Sequence, residues 1–404
     1  MRIKLLFIML LAALTAGCSD APEQTSVLQQ DIASLEKTVR GTEVRWHMWG
    51  GSAQINQWVD TFVTSEMKRL YDVNVVRVPM DAPVFVNKLL TEKAAGKTTG
   101  TMDLLWINGE NFKNSMQAGV LFGPFTDRLP NFSAWYDPQK SAHDFGYPVN
   151  GFEAPYGRAQ FVFEYDTART PTPPANLAEL ADWIRANPGR FTYPQPPDFT
   201  GSAFLRQVFY ATTGGHEQYM NGFNAELYAK NAPRTFDWLG ELKPHLWQQG
   251  RTYPKDAAAL DTLFARGEID MAMSYHPAHA QMKILEKTYP DTVRTFVLAE
   301  GAIFNTHFTA IPFNAPNKAG AMVLANFLMS PEAQLSKFRP ENWGDLPALE
   351  VTKLEETQRK AFDEVDLGAA TLGMDVLSAA AVPEISPEYL ELLERDWDTF
   401  ILGH

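Results

Sequence analysis

Apolar residues recur at three- and four-residue steps from Ile55 to Tyr71. Ile55, Trp58, Val59, Phe62, Val63, Leu70 and Tyr71 share one face of a predicted helix. Before it, Val44–Trp49 (VRWHMW) has the bulky, branched character of a strand. Gly50-Gly51-Ser52 between the two supplies a tight turn and an N-cap. The order then repeats, with a short strand at Val73–Pro79, a helix over Val84–Ala95 and a third strand at Met102–Ile107. Strand, helix, strand, helix, strand predicts a parallel sheet with helices on its faces. Ligands of such sheets collect at the carboxyl ends of the strands, where helix N-termini direct their free amides. Trp49-Gly50-Gly51-Ser52 and Asn108-Gly109-Glu110-Asn111 therefore fall on one rim.

Further along, PYGRAQFVFEYDT (Pro155–Thr167) alternates bulky residues as a strand does, and the proline-rich Thr170–Leu177 opens a helix over Ala178–Ala186. A second set of elements follows. It comprises a long helical region after Phe191, a helix end, glycine turn and strand over Ala265–Tyr275, and a strand at Val293–Ala299. Ile303–Asn317 reads as a crossing strand and turn, then a helix runs from Lys318 to Met329. Ser330-Pro331 supplies the N-cap and first-turn proline of the next helix. Residues 353–402 read as helical, with charged solvent faces.

A chain of 404 residues exceeds what one compact core usually fills, so two domains are expected. Hydrophobic residues make up 45% and charged residues 21%, which excludes a largely disordered chain. The formal charge of −13 leaves no basic footprint for nucleic acid. A lone cysteine, Cys18, excludes an intrachain disulfide framework and a cysteine zinc site. Residues 1–17 read as a signal peptide, with Arg2 and Lys4 ahead of the apolar stretch Leu5–Ala16. Cys18 follows Thr15-Ala16-Gly17, where a bacterial lipoprotein carries its lipidated residue, although Thr15 stands where a large aliphatic residue is usual. Plain secretion with cleavage near Ala16 or Ala21 is the alternative. Either route takes the mature chain out of the cytoplasm, to the periplasm or cell surface. The polar residues 18–42 read as a tether behind the anchor.

Five segments, in order, resemble the extracytoplasmic solute-binding proteins of ABC importers. They are VRWHMWGG, MDLLWINGENFKNSMQAGVLFGPF (Met102–Phe125), PYGRAQFVFEYDT, LFARGEIDMAMSYHPAHA (Leu263–Ala280) and AGAMVLANFLMSPEAQ (Ala319–Gln334). The resemblance is to the group that includes thiamine, ferric-iron and polyamine binders, and within it to the YnjB-like subfamily. It implies an α/β fold of the periplasmic-binding-protein type II class, with two α/β lobes, a hinge, an interlobe cleft and a helical C-terminal segment. The implied boundaries are 43–157 for the first part of lobe I, 158–304 for lobe II, 305–345 for the return to lobe I, and 346–404 for C-terminal helices on both. The implied activity is capture of a small solute and its delivery to the transmembrane subunits of a permease, by a monomer without cofactor, metal or catalysis. The lipid on Cys18 would be its only hold on the membrane.

The candidate site residues follow from both readings. Trp49, Tyr156, Tyr275 and Trp343 stand at strand ends or turns, where aromatic walls suit a flat ring or an organic cation; Trp46 and Trp106 read as core. Gly51-Ser52 and Thr200-Gly201-Ser202 open helices and would, with Arg158, suit an anionic group, or else serve as plain caps. Glu110, Glu153 and Asp198 would instead suit an amine, and the sequence leaves the solute's charge open. Asn108 and Asn111 belong to the first rim, and Asn305 and His307 to the crossing strand. His276 and His279 have chelating spacing but no carboxylate beside them in sequence, so no metal is expected. GKTTG (Gly96–Gly100) lacks the upstream glycine of a phosphate loop, and G-x-S-x-G is absent. A secreted glycosidase using Glu110 and Glu153 is the competing class. Within the resemblance a thiamine-like or amine solute leads, with a phosphorylated or carboxylated compound second.

Overall fold

The computed structural model describes residues 27–403, so the signal peptide and Cys18 lie outside the described residues. Among the described residues twelve strands occur in chain order: β1 (Glu43–Met48), β2 (Asn74–Pro79), β3 (Leu104–Ile107), β4 (Leu121–Phe122), β5 (His143–Asp144), β6 (Tyr147–Pro148), β7 (Glu153–Gln160), β8 (Val162–Asp166), β9 (Met271–Ser274), β10 (Val293–Phe296), β11 (Ala302–Pro312) and β12 (Ala381–Pro383). The larger sheet runs β12-β11-β3-β1-β2, with β7 and β4 also paired to β11. β1 is parallel to β2 and β3, as the strand–helix alternation predicts, whereas β11 returns antiparallel to β3. The smaller sheet, β10-β8-β9, is antiparallel throughout.

Side-chain alternation explains why the large sheet has two dry faces. Val44, Trp46 and Met48 on β1 and Leu104 on β3 enter one core, together with Val59, Val63 and the helix Lys318–Leu328. Leu105 and Ile107 point the other way, against Phe85, Leu89 and Phe112. A separate core surrounds the small sheet, where Phe161 and Phe163 meet the helix Phe199–Thr213. That helix is buried on nearly every side, because helices and sheet enclose it.

Three passages that carry strands join the two cores, and the loop at Ala370 also packs into the second. β7 leads through Phe161 into β8, and β11 carries the chain back. The third lies near the C-terminus: Leu377 belongs to the first core, while Ile385, Tyr389, Leu393 and Trp397 belong to the second. β12 makes this passage by pairing parallel to Ala302–Phe304 of β11. Residues 353–402 are therefore not one helical run. They form Glu356–Asp363, Met374–Ala380 and Pro387–Trp397, broken by a non-helical span and by β12. The ladder to β11 and Pro383 override the helical bias of the alanines.

The expected polar tether also ends early. A helix at Ile32–Thr38 buries Ile32 and Leu35, with Val39 behind them, in the first core, and Asp31 caps it. Among the described residues no helix is long and apolar enough to cross a membrane.

Candidate functional site

The site begins as a gap along one edge of β11. β7 covers the opposite edge from Phe304 to Ala310. On the near edge β12 pairs Ala302–Phe304 and β3 pairs Phe308–Ala310, so among the described residues no strand covers Asn305–His307. Asn108, just past β3, closes part of the gap by donating its Nδ2 to the Thr306 carbonyl at 2.7 Å. A cavity of about 380 Å³ opens there, walled by Asp144, Phe145, Phe304, Asn305, Thr306 and Glu384, with Met220 reaching in from the second body. Its size lies within the ~300–1,000 Å³ range of small-molecule sites. A smaller cavity of about 220 Å³ lies between the helices Pro331–Phe338 and Glu356–Asp363, lined by residues such as Leu335 and Phe362 that lie on neither rim.

Carboxylates dominate the seam. Asp144 accepts from the Gly109 amide, but burial outweighs that bond and pushes its pKa up to about 8, with Glu384 adding repulsion. Burial also raises the pKa of Glu110, beside Glu391, and that of Glu394, which accepts from Ser202 Oγ. The fully buried Arg206 binds Glu384 in a fork, at 2.7 and 2.8 Å, and the Tyr275 hydroxyl donates to the same carboxylate. Its guanidinium lies 5.6 Å from the Phe145 ring and 5.9 Å from that of Phe199, which itself packs edge-on against Tyr275 at 5.0 Å. Phe145 and Asp144 extend from beside Gly109, whereas Arg206 and Tyr275 belong to the second core, so these contacts span the seam.

Beside this acidic chamber stands an aromatic platform. Trp106 lies 5.0 Å from His307 and 5.6 Å from Trp343, with Tyr156 beneath at 5.7 Å. His307 pairs with Asp345 at 3.1 Å, and Asp345 with the buried Lys337 at 2.7 Å. Lys337 also donates to the Tyr156 carbonyl and faces the Tyr156 and Trp343 rings. This bracing fixes the turn Trp343–Asp345 where it meets the other lobe. A Cβ built on Gly344 would lie 2.5 Å from the Ala278 methyl and 3.5 Å from the His276 ring. Burial lowers the His276 pKa to about 4, which leaves a neutral ring whose Nε2 has no partner among the described residues.

The remaining expected residues divide by exposure. Trp49 is 48% exposed and folds over Gly51, while Ser52 accepts from the Ile55 amide as an N-cap. Asn108, Glu110 and Asn111 are half-buried at the start of the helix Gly109–Gln117. Tyr156 and Trp343 are buried in the platform. The Arg158 main chain bridges to Leu346, and its guanidinium lies 6.0 Å from the Phe304 ring. Thr200 and Gly201 donate their amides to Asp198, so that helix start is capped by the chain's own carboxylate. Gly201 presses on Pro194, whose carbonyl oxygen would lie 2.1 Å from an added Cβ. Gly201→Ala is therefore expected to cost about 1–3 kcal/mol in urea unfolding, the scale of overpacking; an unchanged midpoint would refute the contact.

Histidine chemistry takes an unexpected form. Glu164 and Asp261, distant in sequence, flank His279 on opposite ring nitrogens at 2.8 and 3.1 Å. Burial alone would lower its pKa, but the two carboxylates outweigh burial and raise it well above the ordinary value. Carboxylates on opposite nitrogens make a protonated bridge, since one metal ion bonds one nitrogen of a ring. Sequence reasoning missed Asp144, Phe145, Arg206 and Glu384. Only Arg206 left a signal, a charge within the apolar run AFLRQVFY.

Comparison with known proteins adds the family context. The family described as bacterial extracellular solute-binding protein matches residues 57–361. Protein YnjB of Escherichia coli (strain K12) is 36% identical over 370 residues, covering 91% of this chain and 93% of that protein. An ABC transporter structure from Clostridium perfringens superposes with a TM-score of 0.62 at 18% identity, covering 88% of this chain and 98% of that one. A periplasmic thiamin binding protein gives 0.57 at 17% identity, covering 89% and 95%. The fold is that of the type II periplasmic binding proteins.

Proposed function

The chain belongs to the bacterial extracellular solute-binding proteins, which serve ABC importers outside the cytoplasm beside permease subunits, and from that membership we propose that it captures a small organic cation between its lobes. A thiamine-like compound or another amine is the leading class. The observation that carries this reading is the set of carboxyl groups at the seam: Glu110, Asp144, Glu384 and Glu394 converge there, against Arg206 beside Glu384 and Glu394 and Lys113 beside Glu110. A cationic guest lowers the cost of holding those carboxylates together; an anion raises it. Phe145, Phe199, Tyr275 and Phe304 add ring faces for a cation or a flat heterocycle.

The same geometry disfavours the phosphorylated or carboxylated alternative, because Asp198 occupies the helix amides that an anion would need. It also disfavours a glycosidase. Glu153 is fully buried, with neither carboxyl oxygen partnered among the described residues, so it cannot serve with Glu110 in an open groove. In this reading the protein performs no catalysis, acts as a monomer and is held to the membrane by a lipid on Cys18.

Closure follows from the wall contributions. A solute touching β11, the Asp144 loop and Met220 binds best when the lobes meet, and shifts the population toward that form. A thermal-shift screen over amines, thiamine derivatives, sugar phosphates and organic acids tests the class. Cations are expected to raise the melting temperature and reduce the radius of gyration in solution scattering, with anions inert. Stabilisation by anions alone would overturn the reading.

A further inference from the structure

Among the described residues, two oxygens on residues walling the interlobe cavity have no hydrogen-bond partner: Asp144 Oδ1 and Asn305 Oδ1. Asp144 is 2% exposed and Asn305 7%. They reach the cavity from unrelated elements. Asp144 ends β5, with the Gly109 amide on its other oxygen, and Asn305 stands on the uncovered strip of β11. A buried polar oxygen left without a partner is costly. Two of them on one cavity that bridges both lobes point to hydrogen-bond partners that arrive with a ligand.

We propose that this strip of β11 seats the solute's cationic nitrogen, and that this nitrogen carries N–H bonds for Asp144 and Asn305 to accept. The class is then a primary or secondary ammonium or a protonated amino-heterocycle, which narrows the cation reading and rests on it. A fully alkylated ammonium has the same charge but leaves both oxygens unpaired, the situation in which a polar site discriminates most strongly.

The surrounding charges leave Asp144 as the group that answers the guest. Glu384 is occupied by Arg206 and Tyr275, and Lys140 by Glu350. Glu384 on the third passage adds negative potential near Asp144 and Asn108 offsets part of it, burial and Asp144 hold the Glu153 carboxyl on β7 well above the usual carboxylate range, and His143 beside Asp144 is exposed. Burial keeps Asp144 protonated in the empty site at neutral pH. When an ammonium enters, the carboxyl proton leaves to solvent and a carboxylate–ammonium pair forms, so charge balances with one proton released. Affinity then rises with pH and levels off above about 8, where Asp144 is already ionised.

The test uses butylammonium, butyltrimethylammonium and butyrate with the full-length protein, in calorimetry at pH 7 in two buffers of different ionisation enthalpy. Butylammonium is expected to bind at least about tenfold more tightly than its trimethyl analogue, with release of close to one proton. Asp144→Asn should abolish the proton release and weaken butylammonium about tenfold or more, and Asn305→Ala should weaken it in the same direction. A thermal melt of each variant checks folding. Equal binding of the two cations with butyrate inert overturns the N–H seat and leaves the cation reading standing. Butylammonium affinity unchanged in both variants moves the seat elsewhere. Binding of butyrate alone, or of none of the three, overturns the seat, and butyrate alone overturns the cation reading too.

Discussion

Arg206→Ala is expected to destabilise the protein by about 3–5 kcal/mol, the usual result of breaking a buried ion pair from one side. Arg206 and Glu384 have side-chain exposures of 1% and 2%, and the guanidinium meets both carboxylate oxygens. Removing the arginine strands a carboxylate whose one remaining side-chain donor is the Tyr275 hydroxyl. Glu384 follows β12 directly, so the stranded charge sits where the chain makes its third passage between the cores. Arg206→Met with Glu384→Leu removes both charges at similar volume and should recover most of the loss, because buried pairs are often no better than apolar replacements. Urea unfolding followed by tryptophan fluorescence measures all three variants. If Arg206→Ala moves the midpoint by less than the equivalent of about 1 kcal/mol, the pair is not buried as described.

Local pattern carried much of the architecture. The helix through Ile55 and Val59, the strands at Val44 and Leu104, and the glycine turn between them were legible because three-, four- and two-residue periods are fixed by backbone geometry. Trp46 reads as core from its strand position and is fully buried. The cavity was not legible in the same way. It exists because residues 381–383 and residues 105–107 cover different parts of one β11 edge, and no local pattern announces where two such pairings stop short of each other. The alanines before Val382 favour a helix, so β12 and the Glu384 beside it were hidden by a propensity that tertiary pairing overrode. His279 shows the same limit: its carboxylates come from positions 164 and 261, and spacing within HPAH says nothing about them. The early end of the tether was readable in principle, since Ile32 and Leu35 stand three apart behind Asp31, but a seven-residue helix among polar residues is a weak signal.

Asp144→Asn is expected to do the opposite of Arg206→Ala and stabilise the empty protein at neutral pH. The pKa of Asp144 rises from an ordinary 3.8 to about 8 on folding, mainly through burial. With the folded value raised, its contribution is fully present below pH ~4 and is lost as the pH climbs toward 8, because the unfolded chain ionises first. At pH 7 the loss is on the order of 4 kcal/mol, from about three pH units at 1.36 kcal/mol each. Asparagine keeps an oxygen for the Gly109 amide and has no proton to lose, so it escapes that penalty. Urea midpoints of the unliganded proteins should therefore diverge between pH 4 and 8, with the variant ahead at the alkaline end and little difference at pH 4. The gain in stability accompanies the loss of ammonium binding, since the carboxylate that is costly to bury is the one that receives the guest. A variant equally stable at both pH values, relative to the parent, would mean that Asp144 is solvated and that the cavity wall is open to water at rest.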